Sequence, residues 1–240
     1  MDSLQLEIEL LFINIEDMPY YRALLRGEFT KEDTMRAQLQ DLGRSIGCQG
    51  LREIQLEKLR QDLTARTIIQ EDHDTLYEVI RDEDSTPTRP SHFEIRLQIF
   101  EGVPKDLLLL VDPMPQVKEA NRLFRSIFTD RSTLEITAAV GGIEQWYVPI
   151  AAVLEKAYLG LGYTQRQVET YTLHKTADIK HSRIALDFVR KYANTKEKRT
   201  KVLAAVRAAF HTTRLYDEAR YEAAKNRSRP FESYLKSSKK

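Results

Sequence analysis

Glycine and proline placement constrains this chain more than any other feature of its sequence. Only nine glycines and eight prolines occur in 240 residues, and they stand mainly at the ends of long segments. Between them apolar residues return with a period near 3.6, in a vocabulary of Leu, Ala, Ile, Glu, Lys and Arg. The expectation is an all-α chain. A first helix is predicted over residues 4–26, with Pro19 as its breaking point and Gly27 as its stop. Thr30 is expected to cap a second helix, with Glu32 and Asp33 in its first turn, that continues to about residue 63 and bends around Gly43, Gly47 and Gly50. A third is expected over residues 66–82, followed by a loop at 84–90 that contains Pro87 and Pro90.

Ser91 reads as the N-cap of a short helix to residue 100, and another helix is expected over 117–129. Ser132-x-x-Glu135 and Thr164-x-x-Gln167 are capping boxes, predicted to open helices that reach residues 161 and 193. A last helix is expected over 196–226. About seven helices without a fixed repeat length point to one helical bundle over residues 1–228 and not to a solenoid. Residues 229–240, with Lys236, Lys239 and Lys240, read as a basic flexible tail.

Charge and cysteine content narrow the function classes. Lys and Arg number 37 against 36 Asp and Glu, a net charge of +1, which lacks the basic excess a dedicated nucleic-acid binder uses to displace counterions. The single cysteine, Cys48, excludes an internal disulfide framework, a Cys-rich zinc site and a CxxC pair, and it fits a reducing cytoplasm. The opening MDSLQLEIELLF carries acids at Asp2, Glu7 and Glu9, so it is expected not to act as a secretory signal, and no apolar run reaches the length of a membrane span. A small-molecule substrate is the expected partner.

Five histidines are present, and two of them share a helix face with an aspartate. His174, Asp178 and His181 lie at offsets of four and seven, which on a helix return to within roughly 40° of one another. The same stripe holds Tyr171 and Ala185, so it is expected to point inward. Two imidazoles and a carboxylate are costly to bury unless something pairs with them, and a metal ion does so. Taken alone, the stripe is equally well read as a solvated set of local helix pairs. Glu144 lies within the apolar stretch ITAAVGGIEQWYVPIAAV, and Glu83 and His92 flank the proline loop. Three carboxylates and three imidazoles make an oxygen- and nitrogen-rich set suited to iron or manganese, and dinuclear carboxylate sites are built in helix bundles from such residues. Gly141 and Gly142, just before Glu144, either leave room for substrate or permit close helix packing.

Over roughly residues 75–185 the order and spacing of these residues resemble the haem-oxygenase-like di-iron oxidases and oxygenases. The resemblance implies a seven-helix haem-oxygenase-like bundle that binds no haem. It also implies two Fe(II) per chain, with Mn/Fe as an alternative pair, and O2 as co-substrate. Its ligand set maps onto Glu83, His92, Glu144, His174, Asp178 and His181, with Glu83 bridging. A homodimer is an expected assembly. The segment YYRALLRGEFTKED resembles the opening of the family's para-aminobenzoate synthases, in which a tyrosine of the protein is consumed, and Tyr21 falls at that position. The aromatic-rich helix that follows in those enzymes is replaced here by AQLQDLGRSIGCQGLREIQ, so Tyr21 is expected to be a core or pocket residue. The N-oxygenases of the family recruit one more carboxylate, for which Glu53 and Glu57 are the candidates.

These implications point to an O2-dependent oxidoreductase acting on an amino acid or an amino-acid-derived carboxylate in a biosynthetic pathway. Gln145, Trp146, Tyr147, Tyr171, Lys175 and Arg183 are the polar and aromatic groups expected around its site. The alternatives are a self-sacrificing protein that consumes Tyr21, a metal-free enzyme of the thiaminase or quinone-cofactor-forming type on the same fold, and a helical interaction protein with incidental histidines.

Overall fold

In the computed structural model, which describes residues 3–82, 84 and 90–235, several helices begin where a side chain satisfies their first amides. The elements are α1 (Ser3–Glu9), α2 (Pro19–Leu25), α3 (Lys31–Gly47), α4 (Leu51–Thr64), α5 (Gln70–Arg81), α6 (His92–Leu97), α7 (Lys105–Leu108), α8 (Pro115–Asp130), α9 (Thr133–Gly160), α10 (Glu169–Tyr192) and α11 (Lys196–Lys225). Thr30, Ser91 and Ser132 close reciprocal capping boxes with Asp33, Glu94 and Glu135, which sets the starts of α3, α6 and α9. Thr164 and Gln167 exchange the same pair of bonds, yet α10 begins only at Glu169.

The described residues are all-α, with ten helices and the single turn α7 in place of the expected seven. Two expected helices are divided. Asn14 caps a 3-10 turn at Ile15–Asp17 and Pro19 starts α2, so the first helix becomes two. Gly50 adopts φ +79°, a left-handed conformation, and it separates α4 from α3 instead of bending one helix.

α9 and α10 pack along each other more extensively than any other pair, and α11 crosses α3, α8 and α9 on the other side. Leu39, Leu42, Leu154, Val189, Val206 and Phe210 belong to the apolar core shared by these helices. Each such side chain contributes about 1.5–3 kcal/mol by leaving water. A Cβ on Gly141 would stand 2.6 Å from the Ala185 Cβ on α10, so this glycine permits close approach of the two central helices. A Cβ on Gly142 would meet Val206 at an ordinary 3.5 Å. Packing, not space for substrate, is therefore what these glycines provide.

The chain's end is tied down beyond residue 228. Phe231–Tyr234 form a 3-10 turn, the Tyr234 side chain is fully buried, and its carbonyl accepts from Asp112 N at 2.7 Å. The Arg229 guanidinium lies 4.0 Å from the Tyr234 ring centroid. The expected flexible tail is thus packed through Leu235, while residues 236–240 lie outside the described residues. No described helix is long and apolar enough to cross a membrane.

Candidate metal centre

The stripe on α10 faces inward as its spacing requires. Asp178 and His181 are buried, and His174 is mostly covered. Glu144 reaches them from α9, and Glu144, Asp178 and His181 each offer a ligand atom within 4.8 Å of the others. The close approach at Gly141, one turn from Glu144, sets the two helices near enough for this.

Hydrogen bonds decide which imidazole nitrogen is available. A carboxylate only accepts, so His174 Nδ1–H donates to Asp178, at 3.0 and 3.2 Å from its two oxygens, and Nε2 keeps its lone pair. His181 Nε2–H donates to Asp82 Oδ2 at 3.0 Å. His181 Nδ1 is then left as a buried acceptor with no hydrogen-bond partner among the described residues. A carboxylate that fixes the tautomer of a buried histidine and leaves its other nitrogen an open acceptor is the usual outer support of a metal-ligating imidazole. His92, buried at the start of α6, sets its ring edge-on to His174 with centroids 5.2 Å apart. The donor set, carboxylate oxygen with imidazole nitrogen, suits iron or manganese.

Five of the six expected site residues are thus gathered between the middle of the α9–α10 pair and the start of α6, and Glu83 lies outside the described residues. The expected extra carboxylate from α4 is not there. Glu53 and Glu57 both face solvent, because Leu51, Gln55 and Leu59 occupy the inward face, and Glu57 is held by Arg60 and Gln61. Lys175 also turns away, pairing with Glu155 at 2.5 Å, and Arg183 is exposed. Gln145 donates to Glu9 at 3.0 Å and Trp146 to the Ile13 carbonyl at 2.7 Å. Tyr171 accepts from Gln38 at 2.9 Å, within a buried set where the Tyr20 and Tyr158 hydroxyls meet at 2.5 Å.

Sequence reasoning missed Asp82 and the ionic groups behind His174. Asp82 is the C-cap of α5, and a carboxylate at the negative end of a helix is an unfavourable placement that could have marked it. Tyr147 stands edge-on to His174 at 5.7 Å. Beyond it Asp41 on α3 pairs with Arg96, one turn from His92 on α6, and lies 4.0 Å from Arg44. Burial pushes the Asp41 carboxyl up, but Arg96, Arg44, Arg220 and His174 outweigh it and hold it at about 2. Burial raises the Tyr147 and Tyr21 phenols, so both are neutral near pH 7.

Comparison with known proteins adds four findings. The sequence profile of a family described as iron-containing redox enzymes matches residues 39–214. A 4-aminobenzoate synthase from Nitrosomonas europaea is 32% identical over 105 residues, a match that covers 42% of this chain and 42% of that protein. A CADD-like protein of unknown function from Nostoc punctiforme superposes with a TM-score of 0.69 at 19% identity, covering 92% of this chain and 96% of its own. A domain of unknown function with a haem-oxygenase-like fold from Shewanella denitrificans superposes with a TM-score of 0.71 at 16% identity, covering 91% and 92%. At such identities the structural neighbours establish the haem-oxygenase-like fold alone.

Proposed function

Because the chain belongs to the family of iron-containing redox enzymes, we propose that Glu83, His92, Glu144, His174, Asp178 and His181 hold two ferrous ions and that the protein uses dioxygen to oxidise a small amino-acid-derived carboxylate. The observation that carries this reading is the buried His181 Nδ1, left without a hydrogen-bond partner while Asp82 fixes the ring. Ferrous iron, or a manganese–iron pair, would supply the electrons and the open coordination positions that dioxygen needs.

The protein's own part is positioning. Asp178 orients His174 and Asp82 orients His181, so neither ring can turn its lone pair away without breaking a charge-assisted hydrogen bond. Trp146, Tyr147 and Tyr21 wall the side of the centre next to His174 with rings, which keeps water from that flank. Anaerobic loading with Fe(II) tests the reading: about two irons per chain are expected, and His174→Ala and His181→Ala should each lose iron. Unchanged iron content in both variants would overturn it. Oxygen uptake is expected to accelerate with an aromatic amino acid or a related carboxylate and not with a medium-chain fatty acid.

A second reading is favoured by the curated relative, whose name describes synthesis of 4-aminobenzoate. In it Tyr21, buried beside Trp146 at 6.5 Å between ring centroids, is itself the material consumed. Loss of intact protein mass during reaction, together with 4-aminobenzoate among the products, would replace the first reading with this one.

A further inference from the structure

Arg220 on α11 is only about 6% exposed, and a guanidinium taken out of water is costly unless a carboxylate meets it. Among the described residues none comes within ion-pair distance, and Asp41 and Asp217 act on it only from farther off. Asp217, one turn earlier on the same helix, instead accepts from Tyr20 N at 3.0 Å and so caps α2, whose own N-cap Met18 offers no side-chain acceptor. Asp41 is taken by Arg96 and Arg44.

What Arg220 does have is aromatic. Its Nη2 donates to the Tyr21 hydroxyl at 2.8 Å, and its guanidinium lies 4.7 Å from the Tyr21 ring centroid and 5.3 Å from that of Tyr20. Its Nε–H is buried with no acceptor. The Tyr21 oxygen accepts from Arg220, and the hydroxyl proton is given to no acceptor among the described residues. Two neighbouring buried donors, one of them charged, are therefore open at the same place. Their complement is a carboxylate, which accepts at two oxygens and neutralises the guanidinium.

We propose that Arg220 and Tyr21 anchor the carboxylate of the molecule oxidised at the metal centre. This rests on the oxidase reading for the reaction and on Arg220 itself for the anchor. A series of ring contacts connects them: Tyr21 lies 6.5 Å from Trp146, Trp146 lies 6.3 Å from Tyr147, and Tyr147 lies 5.7 Å from His174. A substrate held by its carboxylate at Arg220 lays an aromatic or apolar body along Trp146 and Tyr147 and presents its far end to the His174 side. Lys175 and Arg183, which the sequence offered as cations, face outward.

The test is calorimetric binding of 3-phenylpropionate and L-tyrosine, each against its primary amide, to the wild-type protein and to Arg220→Lys and Arg220→Gln. Wild type should prefer each carboxylate over its amide by about 10- to 100-fold, the range expected of a hydrogen bond to a charged group. Arg220→Gln should abolish the preference while leaving amide affinity unchanged, and Arg220→Lys should keep part of it. Equal binding of acid and amide to wild type, binding of neither, or a preference that survives in Arg220→Gln would each overturn the anchor. The wild-type comparison stands even if a variant does not fold. Iron content measured on the same samples separates the two ideas: full iron without a carboxylate preference removes the anchor alone, and preference without iron loading removes the oxidase reading alone.

Discussion

Two arginines are buried among the described residues, and their surroundings are opposite. Arg36 on α3 pairs with buried Asp33, donates to Glu32 at 2.9 Å, and closes the end of α11 through the Ala223 and Ala224 carbonyls at 3.3 and 3.4 Å. Arg227 adds a second cation on Asp33 at 2.9 Å. Arg220 has one phenolic oxygen and two ring faces. Burial alone does not distinguish a structural charge from a functional one; the completeness of its partners does. The Arg36 region is saturated, whereas Arg220 has no carboxylate in direct contact and keeps its buried Nε–H open.

The contrast breaks most sharply on stability. Arg36→Met should destabilise the protein by about 2–4 kcal/mol in urea unfolding, because it removes one of the two cations on Asp33 and the donor to the Ala223 and Ala224 carbonyls, and iron content should stay unchanged in the fraction that remains folded. A loss under about 1 kcal/mol would place Arg36 in the same class as Arg220.

Acid unfolding gives the next effect. The folded Asp41 carboxyl sits at about 2, below its ordinary 3.8, so its contribution is fully present above the unfolded value and is lost as pH falls through that window. The size is on the order of 2 kcal/mol. Asp33 is depressed as well, since its hydrogen bonds from Arg227 and Thr30 outweigh burial, and it acts in the same direction. Asp41→Asn should therefore flatten the acid limb of the stability profile between roughly pH 4 and pH 2, and an unchanged slope there would contradict the pairing with Arg96.

Tyr21→Phe should cost about 1–2 kcal/mol, since it removes the one hydrogen bond of the Arg220 guanidinium. Turnover of an added carboxylate is expected to survive with a raised KM and little change in kcat. Complete loss of product in a folded, iron-loaded variant would favour the reading in which Tyr21 is consumed. The smallest change is expected for Arg220→Gln, whose stability should lie within about 1 kcal/mol of wild type because Asp41 keeps Arg96 and Arg44, Asp217 keeps the Tyr20 amide, and lost ring contacts offset the relief of a buried charge. A drop of several kcal/mol would make Arg220 a structural residue after all.

What could be read in the sequence was what is decided within a few residues. The Ser132–Glu135 box starts α9 because both partners lie within one turn, and the offsets of His174, Asp178 and His181 place them on one face whatever packs above. The α4 carboxylates failed because a helix face is chosen by its tertiary neighbours, here Leu51, Gln55 and Leu59. Gly50 was legible as a disturbance but not as a full break, which depends on its positive φ. Asp82 and Arg220 were out of reach for another reason: their partners His181 and Tyr21 stand 99 and 199 residues away. No local pattern carries such a pairing.

One absent methyl group has the last effect. At Gly141 the two central helices touch through Ala185, one turn from Glu144 on one side and from His181 on the other. That contact works as a fulcrum. The gap between the carboxylate of one helix and the imidazole of the other is measured from it, so an alanine at 141 would pry those two groups apart without touching either.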